Sequence, residues 1–226
     1  MDRVELHSHS SVSDGMLEPH SLLRAARRRG CRAVAVTDHD TIRGGVMAYK
    51  ASKRLGLGVI AVPGVEVRTT WGDVLALCTE PPNGEPPKDP VLLREWADAE
   101  SCILVAAHPY HPLRHSVGGR RLLEGARMGL WDAVEVWNSR GLPLFNIPAI
   151  RASRLLGLPG TSGSDAHVPS ELCTSPVIVE APESPGDVVD AIRRGEARPT
   201  PGLAGLRAYA EALGWAVARR LLGSRP

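Results

Sequence analysis

The chain has 226 residues, 43% of them hydrophobic and 23% charged, and a net charge of only +2. That balance excludes a disordered or fibrous protein and fits one soluble globular core. No uninterrupted apolar run approaches the roughly 20 residues that cross a bilayer, and no charged and apolar leader precedes the first strand, so a cytoplasmic protein without membrane contact is expected.

In chain order, Val4 and Leu6 lead into small polar residues and Asp14-Gly15, which reads as a strand running out into a turn. His7 and His9 stand at its exit, two residues apart and therefore on one face. A helix follows from Pro19, with Leu22, Leu23 and Ala26 as its apolar stripe and Gly30 as its stop. Residues 31–36 are a buried strand with His39 beyond its end, a second helix covers 42–55, and residues 59–67 are a third strand carrying Glu66. This alternation predicts parallel strands with right-handed crossovers. Residues 69–73 then read as a hairpin turn, and 74–78 as a β-ribbon excursion outside the barrel proper.

Residues 81–90, with five prolines, form a stiff loop before a helix over 91–99. A strand from residue 102 ends at His108, another from 132 ends in Asn138-Ser139-Arg140, and a helix over 148–156 leads to a strand opening at 159 and ending in Ser164-Asp165-Ala166-His167. The last strand is placed at 177–180, which gives seven barrel strands in a single domain over 1–226. After Pro201, residues Leu203, Leu206, Tyr209, Ala210, Leu213, Val217 and Leu221 have helical spacing, so a helix over about 202–223 is expected to pack on the barrel. The cysteines, 31, 78, 102 and 173, lie far apart without a C-x-x-C and are expected to be reduced and buried.

The strand exits together carry His7, His9, Asp14, His39, Glu66, Asp73, His108, Asp165 and His167. In a barrel of parallel strands such exits ring one face, so residues 150 positions apart converge. Imidazole and carboxylate without thiolate favour Zn, Mn or Fe, and nine donors exceed what one ion uses, which points to two or three divalent ions. Such clusters activate a metal-bound water for hydrolysis, typically of a phosphate ester. His20, His111 and His115 lie in a helix and a loop and are not expected to be ligands; Asp73 is equally well explained as a turn aspartate. Asp38 and Asp40, flanking His39, are expected to orient an imidazole, and Glu135 to pair with a polar group in the core. The phosphate contacts are expected from Arg140, Arg43 and Arg68, near the exits.

The ordered set V-E-L-H-S-H-S-S-V-S-D-G, T-D-H-D-T, P-G-V-E-V, A-A-H-P and G-S-D-A-H resembles the PHP family, the polymerase and histidinol phosphatase superfamily, along nearly the whole chain. The resemblance implies a distorted (β/α)7 TIM-like barrel and a di- or trinuclear metal centre that hydrolyses phosphoesters. By analogy, His7, His9, Glu66 and Asp165 would hold one ion, Glu66 would bridge to a second held by His108 and Asp73, and Asp14, His39 and His167 would complete a third position. Asp165, His167 and His39 would support the attacking water. Many members have a histidine in place of Asp73, and the interval between Glu66 and A-A-H-P is too short for the helical insertion of members that cleave nucleotides or short RNA. The expected substrate is a phosphorylated small molecule or nucleotide. A nuclease or nucleoside-phosphate phosphatase is the alternative, although 4% aromatic residues offer little platform for stacking bases. A non-catalytic metal-binding PHP module would instead show broken ligand positions.

Overall fold

The computed structural model describes residues 1–221. Strands β1 (Asp2–Glu5), β2 (Cys31–Val36) and β3 (Ile60–Arg68) run parallel, with α1 (Pro19–Arg28) and α2 (Arg43–Leu55) as crossovers. Pro19 stands at the start of α1, where a missing N–H costs nothing, and Gly56 ends α2 in the left-handed conformation. Strand β4 (Asp73–Cys78) is antiparallel to β3 and to β5 (Cys102–Ala106), reached through α3 (Pro90–Ala99), whose N-terminus is capped by the Asp89 carboxylate. Helix α4 (Gly118–Arg127), β6 (Ala133–Asn138), α5 (Pro143–Leu156) and β7 (Gly160–Gly163) complete the parallel run. Then β8 (Val177–Val179) pairs with β1, and α6 (Pro185–Arg193), β9 (Arg198–Pro199) and α7 (Leu206–Leu221) follow.

The strand order is β7-β6-β5-β4-β3-β2-β1-β8-β9, and the sheet curls until its edges nearly meet. Ser162 of β7 joins them by donating to Pro176 O (3.0 Å) and accepting from Thr200 N (3.2 Å). Alternation along the strands builds the interior: Ala33 and Ala35, Leu75 and Leu77, and Ile103 and Val105 pack inside, with Val188, Val189 and Ile192 of α6 closing that core. Their sequence neighbours Val34, Val36, Val74, Ala76, Leu104 and Ala106 pack outward against the helices. The result is a distorted barrel of the TIM-like class, as the alternation of elements foretold.

Some expectations need correction. The segment read as a ribbon excursion is a full member of the sheet, because the hairpin that pairs β4 with β3 leaves its other edge free for β5. Helix α5 begins at Pro143 and carries Pro148 inside, and α4 and α6 escaped the sequence reading. Helix α6 did have a signal: Ser184 and Asp187 form a reciprocal capping box around Pro185. The cysteines are not free, since Cys31 is joined to Cys173 and Cys78 to Cys102. Strand pairing explains the second link, for the β4–β5 register puts those two residues directly opposite each other. Of the expected C-terminal helix, residues 222 and 223 lie outside the described residues. Its stripe does not face the barrel: Leu206, Leu213 and Leu221 are exposed, and Ala208 is the buried residue of α7. Among the described residues no helix is long and apolar enough to cross a membrane.

Candidate metal centre

Parallel strands deliver their C-terminal ends to one rim, and the antiparallel β4 delivers its first residue, Asp73, to the same place. Beyond β1 the chain stays extended and bridges the loop after β7, with His9 N donating to Ala166 O (2.8 Å), which carries His7 and His9 up against Asp165. His39 pairs in the same way with Glu66. All nine donors expected from the sequence meet there, in four overlapping groups whose ligand atoms lie within 4.8 Å of one another: His9, Asp14, His39 and His167; His7, His9 and Glu66; His7, His108 and Asp165; and Glu66, Asp73 and His108. His108 and Asp165 both take positive φ, 29° and 53°, a costly conformation for residues with a side chain.

Glu66 lies at the centre. Its Oε1 is 3.0 Å from His108 Nε2 and 3.5 Å from His7 Nε2, and its Oε2 is 2.9 Å from His39 Nδ1 and 3.4 Å from His9 Nε2. Burial alone would neutralise this carboxyl, but the imidazoles of His7, His108 and His39 hold it well below the usual carboxylate range. His9 is the opposite case. Burial, together with His167 and His39, holds it well below the ordinary imidazole value, so it stays neutral with the lone pair of one ring nitrogen available. His7 is raised to about 10, since Glu135 and Glu66 outweigh its burial.

The donor set fits divalent cations. His7 Nε2 and both ring nitrogens of His9 are buried without a hydrogen-bond partner among the described residues. A buried polar atom left unpaired costs about 1–3 kcal/mol, so three such atoms facing anionic oxygens mark a place for a positive ligand. Asp73, open as a turn aspartate in the sequence, stands with Glu66 and His108. Its Oδ1 is also 3.2 Å from His115 Nδ1, although His115 itself joins none of the four groups. His20 and His111 likewise stay outside them.

Around the donors runs a set of buried carboxylates whose work is positioning. Glu135 Oε1 lies 3.0 Å from His7 Nδ1, and Glu135 Oε2 accepts from His108 N (2.8 Å) and Asn138 Nδ2 (3.1 Å), so one side chain orients two imidazole-bearing segments. Glu5 accepts from His7 N, Ser164 N and Oγ, and Cys173 N, tying the first exit to the last. Asp38 and Asp40 do not orient an imidazole as expected. Asp38 instead accepts from Ser10 N, Ser10 Oγ and Ser13 Oγ and shapes the turn that presents Asp14, while Asp40 accepts from Arg68 N and Lys88 Nζ.

Gly163 shows how tight the frame is, because a Cβ there would come 2.5 Å from His7 Cβ and 2.7 Å from Glu135 Oε1. Gly163→Ala is therefore expected to cost about 1–3 kcal/mol and, at roughly 2–4 °C per kcal/mol for a chain of this length, to lower Tm by about 2–12 °C, read by calorimetry; an unchanged Tm would show that the site yields.

Beside the donors is a cavity of about 270 Å³. Arg140 and Arg68 line it, but Arg43 does not; it is the exposed first residue of α2. Arg140 Nη1 is 2.7 Å from His167 Nδ1, and Glu171 holds its Nε at 3.3 Å. The sequence reading missed Arg114, which lines the cavity and ion-pairs with Asp165; its one signal was a position six residues after His108, in the loop leaving the A-A-H-P exit.

Comparison with known proteins follows the same lines. The model of the family described as PHP domain matches residues 5–118, and that described as PHP-associated matches 143–197. An uncharacterized protein of Methanocaldococcus jannaschii is 32% identical over 150 residues, 61% of this chain and 82% of its own length. A 3',5'-nucleoside bisphosphate phosphatase of Chromobacterium violaceum is 39% identical over 72 residues, 32% of this chain; the match spans only 25% of that relative. Among solved structures, a two-domain protein of Bacteroides vulgatus containing a predicted PHP-like metal-dependent phosphoesterase superposes with a TM-score of 0.73 at 19% identity, over 89% of this chain and 65% of the other.

Proposed function

Since the chain belongs to the PHP-domain family, we propose that it is a metal-dependent phosphoesterase, acting on a phosphorylated small molecule or nucleotide. The observation that carries the proposal is the set of three unpaired buried imidazole nitrogens inside a ring of nine nitrogen and oxygen donors, with guanidinium groups at its mouth. A non-catalytic module is disfavoured because no donor position is broken.

In this reading His7, His9, Glu66 and Asp165 hold one ion, Glu66, Asp73 and His108 a second, and Asp14, His39 and His167 a third. Zn, Mn or Fe suits these donors, and when bound the ions lower the pKa of water and neutralise charge on a phosphoryl group. The chain supplies the rest. Arg140 and Arg114 contact the phosphoryl oxygens and offset the charge that grows on them in the transition state. Glu171 fixes the Arg140 fork, so its orientation is set before substrate arrives. His39, 30% exposed in its side chain, stands at the mouth between Glu66 and Asp14, and as a ligand it has no spare proton, so the leaving oxygen takes its proton from solvent at that open side. Leu113, the one apolar residue lining the cavity, stands exposed at its edge. The nucleoside bisphosphate phosphatase similarity supports a nucleotide as one candidate substrate.

The test is metal analysis of purified protein with turnover of a generic aryl phosphate, nucleotides, sugar phosphates, histidinol phosphate and short oligonucleotides. Metal-loaded protein is expected to exceed the chelated sample by about 1,000-fold, the several kcal/mol that bound ions contribute. Less than one ion per chain, or turnover indifferent to chelation, overturns the proposal.

A further inference from the structure

Helix α7 is fastened to the barrel by the polar side of its cylinder. Glu211 accepts from Ser170 N (3.2 Å) and Ser170 Oγ, Trp215 Nε1 donates to Asp14 O (2.8 Å), and Arg219 Nη1 reaches Asp14 Oδ2 (3.1 Å) and Asp14 O (3.4 Å). These residues sit four apart and share one face with Ala208, opposite the exposed Leu206, Leu213 and Leu221. Two of the three side chains that hold the helix thus converge on one aspartate.

Asp14 is divided by that contact. Its Oδ1 faces the imidazoles, 3.1 Å from His167 Nε2, 3.6 Å from His39 Nε2 and 3.8 Å from His9 Nδ1, while Oδ2 is taken up by Arg219. Arg219 and Asp14 are both largely shielded, at 18% and 17% side-chain exposure, so the guanidinium charge acts on the carboxylate with little screening. Asp14 is the one anionic donor in the group His9, Asp14, His39 and His167, and an arginine beside it cancels most of that group's attraction for a cation. The groups around Glu66 and around Asp165 differ. Asp165 also meets arginines, Arg114 at Oδ2 and Arg140 3.9 Å from Oδ1, but the positions of Asp165 and of Asp73 each include Glu66, whose carboxylate meets four histidines, so each keeps a second anionic donor that the Asp14 position lacks.

We propose that α7 tunes the metal centre: Arg219, through its bond to Asp14 Oδ2, makes the His9–Asp14–His39–His167 position the weakest and most exchangeable of the centre. The inference rests on the metal centre proposed above. Arg219 is here a positioning residue that acts through Asp14. Removing its charge frees Oδ2 and withdraws a repelling cation, and both effects favour the incoming ion. The turn that carries Asp14 remains held by Asp38 and by Trp215.

The test is titration of the full chain with Mn²⁺ and Zn²⁺ against a chromophoric chelator, for the wild type and R219Q, R219K, W215F and D14N. R219Q is expected to tighten the last ion of the titration about tenfold, within the range that outer-shell partners command, and to leave the tighter ions unmoved. R219K keeps the charge and stays within about twofold of wild type. W215F loosens the helix without altering charge and also stays there. In the D14N background, R219Q has no further effect. Equal shifts in R219Q and W215F, an R219Q shift spread over every ion, or none at all would overturn the inference while leaving the phosphoesterase reading intact. A wild-type chain that takes up no ion overturns both.

Discussion

Glu66→Gln is expected to strip the centre of at least one ion and to lower kcat/KM at least 1,000-fold, about 4 kcal/mol of transition-state stabilisation. The substitution keeps shape and volume, so its effect isolates charge. At present one carboxylate lies within 3.5 Å of His7, His9, His39 and His108, and it belongs to two of the four donor groups. The amide removes a full negative charge from the place where two cations would be closest, and turns an N–H₂ toward nitrogens that must offer lone pairs. Metal content by elemental analysis and turnover on the best substrate check it together. Full metal content in Glu66→Gln would show that Glu66 is an ordinary buried partner of the histidines.

The second large effect falls on stability. Glu5→Ala is expected to cost about 3–5 kcal/mol, because it strands several buried donors at about 1–3 kcal/mol each. Glu5 is fully buried and receives four hydrogen bonds, from His7 N, Ser164 N, Ser164 Oγ and Cys173 N. Its loss leaves those donors unpaired inside the barrel and unties β1 from the segment that carries Asp165. A 226-residue chain loses roughly 2–4 °C of Tm per kcal/mol, so Tm falls by about 10 °C or more. Glu5→Gln retains an acceptor oxygen and falls less. Calorimetry on chelated protein separates this from any loss of metal; a Glu5→Ala Tm within 2 °C of wild type would refute it.

The donors were legible because each follows a short apolar strand, and the geometry of parallel strands gathers such exits without help from the loops between them. Asp73 was harder. Its segment Val74-Leu75-Ala76-Leu77-Cys78 has no directional mark, so nothing in it tells a ribbon excursion from a strand inserted antiparallel between β3 and β5. The carboxylates that set the donors in place were nearly invisible for a different reason. Glu5 and Glu171 are single acidic residues among apolar or small neighbours, with partners up to 168 residues away, whereas Glu135, expected to pair with a polar group in the core, does so with His7 and Asn138. Arg219 had no place in a reading of the C-terminal helix that rested on its apolar spacing. Only the fold shows that the polar side of α7, rather than its leucine stripe, faces the barrel.

The contacts of Asp14 also bear on how the centre comes to be assembled. Asp14 meets Trp215 and Arg219 from 201 and 205 residues further along the chain, and His9 is pinned to Ala166. Such long-range closures form late, after the loop entropy of the intervening chain has been lost. A growing chain that has reached residue 120 already displays seven of the nine donors, His7 through His108, yet lacks Asp165, His167 and the helix that restrains Asp14. Ions captured at that stage would sit in a set of ligands unlike the finished one. The nine-donor set is therefore complete only once the segments around Asp14, Asp165 and Arg219 have met.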